Sequence, residues 1–238
     1  MIRLFLYLFL AISPAAADPE PGSAAERKPA AGWSMTPDPD LPDVLILGDS
    51  ISIGYTLGVR SLLAGKANVF RPLAPNGKAP VNCAGTTAGL AGIDKWLAGR
   101  KWKIIHFNWG LHDMKHVNDR GQNSNNPDDP VQASIQQYAE NLGKIVARLE
   151  ATGAKLVFAT TTPVAPGTSR PLRDPAAPDR YNSVALEIMN SRGIRVNDLH
   201  GFCKPRLPDL QLPKDVHFSR DGSQALAEQV AAAIEREL

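Results

Sequence analysis

From Asp43 to the C-terminus, short apolar runs alternate with longer segments of helical spacing. That alternation is the strongest constraint in the chain. Val44-Leu45-Ile46-Leu47 is an unbroken apolar run closed by Gly48, the pattern of a strand buried on both faces. Ile51 to Ala64 follows with Ile53, Leu57, Leu62 and Leu63 at helical spacing. A strand over Ala67 to Leu73, a helix over Ala88 to Leu97 and a strand over Lys103 to Asn108 come next. Ile135, Tyr138, Leu142, Ile145, Val146 and Leu149 share one helical face. Leu156 to Ala159 reads as a fourth strand, Arg180 to Ser191 as a helix, and Ile194 to Asn197 as a short fifth strand. A last helix runs from about Asp221, with Leu226, Val230 and Ile234 on one face. Strands separated by helices imply right-handed crossovers and a mostly parallel five-stranded sheet in an α/β fold.

Ligands of such sheets sit at the carboxyl ends of the strands. The residues just past each strand are Gly48-Asp49-Ser50, Gly110-Leu111-His112-Asp113, Thr160 to Thr162, and Asp198. Ser50 opens a helix, where unpaired backbone N–H groups face outward. Taken alone, Asp49 or Ser50 is a helix cap. Lys214-Asp215-Val216-His217 precedes the terminal helix and supplies a candidate general base for a Ser50 nucleophile.

Gly48-Asp49-Ser50-Ile51-Ser52 resembles the first block of the GDSL, or SGNH, hydrolases. Asn82-Cys83-Ala84-Gly85-Thr86-Thr87 resembles the second block, Gly110-Leu111-His112-Asp113 the third, and Asp215-Val216-His217 the fifth. The resemblance spans Val44 to the final helix, and HFNWGLHD is similar to a bacterial secreted subset. It implies a flavodoxin-like three-layer α/β/α sandwich and a serine esterase. Ser50 would be the nucleophile, His217 the base and Asp215 its partner. The backbone N–H groups of Ser50 and Gly85, with the His112 side chain, would form the oxyanion hole.

Two departures stand out. His112 replaces the family's asparagine, although a neutral imidazole also carries one N–H. Asp215 lies two residues before His217 where the family has three, and Lys214 occupies the usual position. A Ser-His-Asp triad and a Ser-His dyad steered by a backbone carbonyl are both open at this point.

His112 and His116 stand four apart, as in a zinc-binding H-E-x-x-H helix. A strand and Gly110 precede them and a polar loop follows, so the expectation is no metal and no cofactor. The loop Lys115 to Pro130 carries Asn118, Asn123, Asn125 and Asn126, side chains suited to sugar hydroxyls rather than acyl tails. The expected substrate is a small-molecule or carbohydrate ester with a short, O-acetyl type acyl group. A lipase or lysophospholipase and an inactive SGNH-shaped carbohydrate-binding module are the alternatives.

The remaining features concern location and partners. Arg3, the apolar run Leu4 to Ile12 and Ala15-Ala16-Ala17 form a signal-peptide pattern over 1–17, pointing to a secreted or periplasmic protein. Residues 18–42 hold six prolines and read as a flexible linker, with Trp33 placed to dock on the domain at 43–238. A formal net charge of +2 without a Lys/Arg run argues against a nucleic-acid partner. No internal run is long enough for stable membrane insertion once the leader is cut. Two cysteines, Cys83 and Cys203, exclude a disulfide-rich scaffold and leave one disulfide or two buried thiols open. Nothing in the sequence specifies an oligomer.

Overall fold

The computed structural model describes residues 32–238. The expected signal peptide at 1–17 and most of the expected linker at 18–42 lie outside the described residues. Five strands form one parallel sheet in the order β2-β1-β3-β4-β5. They are β1 Asp43–Leu47, β2 Asn68–Phe70, β3 Ile104–Phe107, β4 Lys155–Ala159 and β5 Arg195–Asn197. The long helices are α1 Ser50–Leu62, α2 Thr86–Leu97, α3 Ile135–Glu150, α4 Ala177–Ser191 and α7 Arg220–Glu235. Helix α1 packs on α7, while α2 packs on α3 and α3 on α4, giving helix layers on both sides of the sheet. This is the flavodoxin-like order, with its switch point between β1 and β3.

Burial explains the arrangement. Val44, Leu45, Ile46 and Leu47 of β1 and Ile104, Ile105 and Phe107 of β3 are all buried. Tyr55 and Val59 of α1 and Leu226, Val230 and Ile234 of α7 are buried in the same core. Each fully buried aliphatic side chain contributes about 1.5–3 kcal/mol relative to exposure. Tyr138, Leu142, Ile145, Val146 and Leu149 of α3 are buried as their spacing predicts. Ile135, assigned to the same face, is exposed at the first position of the helix, where Ser134 caps by accepting the Gln137 N–H.

Two stretches differ from the sequence reading. Strand β2 ends at Phe70 rather than Leu73, because Arg71 turns into the core and Pro72 has no N–H for the ladder. The turn after β5 forms two short helices, α5 Leu199–Cys203 and α6 Leu207–Leu210, joined by a 3-10 turn at Lys204–Arg206. Asp198 caps α5 by accepting the Gly201 N–H and also accepts from Thr160 Oγ1 at 2.8 Å. It therefore joins the ends of β4 and β5.

Residues 32–42 lie against the domain. Arg60 Nη1 donates to the carbonyls of Gly32 (2.9 Å) and Trp33 (3.2 Å), and Asn68 Nδ2 donates to Asp38 and Leu41. Cys83 and Cys203 are free and buried. No helix among the described residues is long and apolar enough to cross a membrane.

Candidate active site

The turn from β1 into α1 is shaped by Gly48 and Asp49. Gly48 has φ +153°, and a Cβ there would lie 2.9 Å from Ser52 Oγ. Asp49 is buried and caps α1 by accepting the Ile51 N–H at 2.9 Å. Ser50 is thereby left as the first helical residue, its hydroxyl at the carboxyl end of the sheet.

Beneath this turn lies Arg71. It is 4% exposed, and its guanidinium grips the turn from inside. Nη2 donates to the carbonyls of Gly48 (2.5 Å), Asp49 (3.2 Å) and Val81 (3.0 Å), while Nη1 donates to Ser52 Oγ at 2.7 Å. Charge-assisted bonds of this kind are roughly twice as strong as neutral ones. They fix the backbone just before Ser50 and the Ser52 hydroxyl just after it.

His217 reaches Ser50 from the turn before α7. Its Nε2 lies 2.9 Å from Ser50 Oγ and its Nδ1 lies 2.8 Å from Asp215 Oδ1. Burial pushes the Asp215 carboxyl up, but the His217 N–H, ring and charge outweigh that and leave it below its ordinary value. An ionised carboxylate only accepts, so Nδ1 carries the proton. In the neutral ring Nε2 is then the acceptor for the Ser50 hydroxyl proton. That is the polarity a general base needs.

The pair opens onto a cavity of about 660 Å³. Ser50, Asn82, Leu111, His112, Lys115, Asn123, Arg173 and His217 are among its lining residues. His112 is half-buried, and burial lowers its pKa, with Asp49, Lys115, Arg173 and His217 close enough to act on it. A lowered value keeps the ring neutral, with one N–H, at physiological pH.

A family model described as the GDSL-like Lipase/Acylhydrolase family matches residues 46–225. The chain belongs to that family. The chemistry it belongs to is carboxylic ester hydrolysis. No curated protein matches the chain. Among solved structures, an acetyl xylan esterase, AlAXEase, is 12% identical with TM-score 0.63, covering 81% of this chain and 99% of its own. A lipase/acylhydrolase from Enterococcus faecalis is 20% identical with TM-score 0.64, covering 83% and 97%. Axe2, an acetylxylan esterase from Geobacillus stearothermophilus, is 16% identical with TM-score 0.60, covering 82% and 93%. At these identities the likeness is one of fold.

Within this GDSL-like domain, the first, third and fifth blocks meet: Ser50, His112, Asp215 and His217 all line the one cavity. The second block meets it differently. Asn82 lines the cavity, whereas Gly85 is buried behind it as the N-cap of α2. A Cβ on Gly85 would lie 2.7 Å from Gln132 Nε2 and 3.1 Å from Asp113 Oδ1, so a side chain there would have to displace the Gln132 amide and crowd the Asp113 carboxylate. Asp113 bolts the second and third blocks together. Its Oδ1 accepts both the Thr86 N–H (2.8 Å) and the Thr86 hydroxyl (2.5 Å).

Other residues singled out by position turn out to hold the scaffold. Thr161 Oγ1 donates to the Trp109 carbonyl at 3.1 Å. Residues 111–115 form a turn, not a helix, and His116 Nδ1 lies 2.6 Å from the Asp129 carbonyl, so His112 and His116 do not form a helical metal pair. Of the loop asparagines, Asn123 lines the cavity. Asn118 and Asn126 close their own turns, and Asn125 Oδ1 accepts the Arg170 N–H at 2.7 Å. Sequence reasoning missed Arg71 and Arg173, and it gave no role to Asn82, the first residue of the second block. Arg71 had a signal, a lone cation inside an expected strand; Arg173 sits in a polar Pro-rich loop and had none.

Proposed function

We propose that this chain is an exported serine esterase that removes short acyl groups, O-acetyl above all, from carbohydrate. The observation that carries the reading is the 2.9 Å contact of Ser50 Oγ with His217 Nε2 at an open cavity. His217 takes the hydroxyl proton as Oγ attacks the ester carbonyl. The Ser50 N–H and the His112 ring hold the oxyanion, with Gly85 assigned by resemblance and the Asn82 amide on the same wall. Each such donor is worth about 3–4 kcal/mol in the transition state. His217 then gives its proton to the departing alcohol. Water, activated by the same imidazole, releases the acid and restores Ser50.

The acyl and alcohol preferences rest on the lining. Its apolar members are Leu111, Pro171 and Val216, too few for a long acyl groove, and the rest are polar or charged. The acetyl xylan esterases of like fold act on that kind of substrate. Export rests on the pattern at 1–17.

The test is a series of nitrophenyl esters of increasing acyl length, with acetate release from acetylated oligosaccharides alongside. Wild type should prefer acetyl to longer chains and release acetate from the sugars. Ser50→Ala should be folded and inactive. An active Ser50→Ala protein removes the serine mechanism, and a preference for long acyl chains replaces the carbohydrate reading with a lipase.

A further inference from the structure

The cavity is far more cationic than the protein. Lys115, Arg170, Arg173 and Lys214 line it, against one carboxylate, Asp215. The whole chain has a formal net charge of only +2. The four come from three separate stretches: Lys115 from the turn after β3, Arg170 and Arg173 from the loop between β4 and α4, and Lys214 from the turn before α7. Asp215 is engaged by His217. Asp49 and Asp113 also act on this cluster, the first on Arg173 and the second on Lys115. Both are held elsewhere, by the Ile51 N–H and by Thr86. Among the described residues, no salt bridge joins any of the four cations to a carboxylate.

Arg173 is the anchor. It is 6% exposed and lines the cavity. Its Nε donates to the Leu111 carbonyl at 2.7 Å and its Nη1 reaches the Pro171 carbonyl at 3.4 Å. Nη2 has no acceptor among the described residues. Nη2 is not sealed from solvent, so this free edge faces the cavity and is open to the oxygens of a ligand. Arg170 and Lys214 have φ +70° and +55°, in the left-handed region that residues with a Cβ avoid. Such backbones cluster at ligand clamps.

We propose that the ester taken by this site carries an anionic group, a carboxylate or a sulfate, on the sugar that bears the acyl group. The proposal rests on the esterase reading above and narrows its substrate class. A cavity wall with an excess of one sign raises the local concentration of the opposite ion. The free edge of Arg173 supplies a planar donor pair suited to carboxylate or sulfate oxygens, and Lys115, Arg170 and Lys214 surround it as point charges or forks.

Three acetylated methyl glycosides test this: the glucuronoside, the glucoside 6-sulfate and the neutral glucoside, which differ only at C6. Wild-type kcat/KM should favour at least one anionic ester over the neutral one by about tenfold, the effect of one charge-assisted hydrogen bond. Whichever anion leads identifies the group. The advantage should shrink between about 0.05 and about 0.5 M salt. In Lys115→Gln/Arg170→Gln, and in Arg173→Gln where it folds, the anionic-to-neutral ratio should fall toward one. Equal kcat/KM for all three esters in wild type overturns the proposal. So does a loss of kcat that is the same for every ester in the variants, since that assigns the cations to the oxyanion. Calorimetric titration of Ser50→Ala with the non-acetylated methyl glucuronoside and methyl glucoside separates the two readings. Selective binding of the anion supports the cavity assignment even if nitrophenyl acetate is not hydrolysed, which would sink the esterase reading alone. Equal binding of both sugars, or none, overturns the anion site.

Discussion

Asp215 Oδ1 accepts twice from His217, from the backbone N–H at 3.0 Å and from ring Nδ1 at 2.8 Å. The backbone bond closes a turn over two residues, and that turn brings the ring back over its own carboxylate. Lys214, in the left-handed region at φ +55°, starts the bend. A carboxylate two residues before the histidine thus reaches Nδ1, and the structure has a Ser-His-Asp chain of contacts rather than a histidine held by a carbonyl.

Asp215→Ala is expected to lower kcat by about 10⁴-fold, because the imidazole loses both its tautomer and its orientation. Steady-state kinetics with melting temperature as a folding control checks this. A loss below about tenfold would show that Asp215 only shapes the turn and that Ser50 and His217 act as a dyad.

His112 sits on the cavity wall with its charge suppressed by burial. His112→Ala should lower kcat by about 10²–10³-fold with KM nearly unchanged, since the bond strengthens in the transition state. His112→Asn restores an N–H donor and should keep much of the activity. Full kcat in His112→Ala would mean that backbone groups and Asn82 serve the oxyanion without it.

Arg71→Leu removes the guanidinium that satisfies the Gly48, Asp49 and Val81 carbonyls. Stranding buried acceptors costs about 1–3 kcal/mol each at most, so a net loss of about 3 kcal/mol is expected. Denaturant unfolding measures it. Activity of the folded fraction should also fall, through kcat rather than KM, as the Ser50 turn loosens. A variant as stable as wild type would show that the turn is held by Asp49 and Gly48 alone.

Burial pushes the Asp113 carboxyl up to about 6, against the hydrogen bonds from Thr86. The folded state therefore binds this proton more tightly than the unfolded chain. The group's contribution is fully present below its unfolded value near about 3.9 and is lost as pH rises through the folded value. Wild type should lose about 3 kcal/mol between pH ~4 and pH ~7 relative to Asp113→Asn, which does not titrate. Urea unfolding of both proteins at the two pH values decides it; parallel pH profiles would refute the assignment.

Cys83 and Cys203 are free thiols, and burial pushes them up to about 11 and about 12. Scarce thiolate and no access make them inert. A thiol reagent should label neither in the native protein and both after unfolding, and a reductant should leave the melting temperature unchanged. A drop in melting temperature with reductant would reveal a disulfide.

The alternation of strands and helices was legible because each element's burial is written locally. Val44 to Leu47 is apolar throughout, and Tyr138 to Leu149 repeats at helical spacing. Ser50 and His217 were legible because the strand-to-helix turn and the segment before the last helix are recognisable without their surroundings. The rest depended on which way side chains point once distant segments pack. Arg71 falls within the expected second strand, and its place under Gly48 follows only once β2 is paired to β1. Gly85 reads as a cavity residue, yet its bare face meets Asp113 and Gln132 while Asn82 lines the cavity. Lys115, Arg173 and Lys214 are far apart in the chain and share one cavity only because the sheet brings its carboxyl-end loops together. Local pattern determines which elements form, since backbone geometry and apolar spacing act over a few residues. Tertiary packing alone decided which charges face one another, because that depends on contacts between segments that no local pattern encodes.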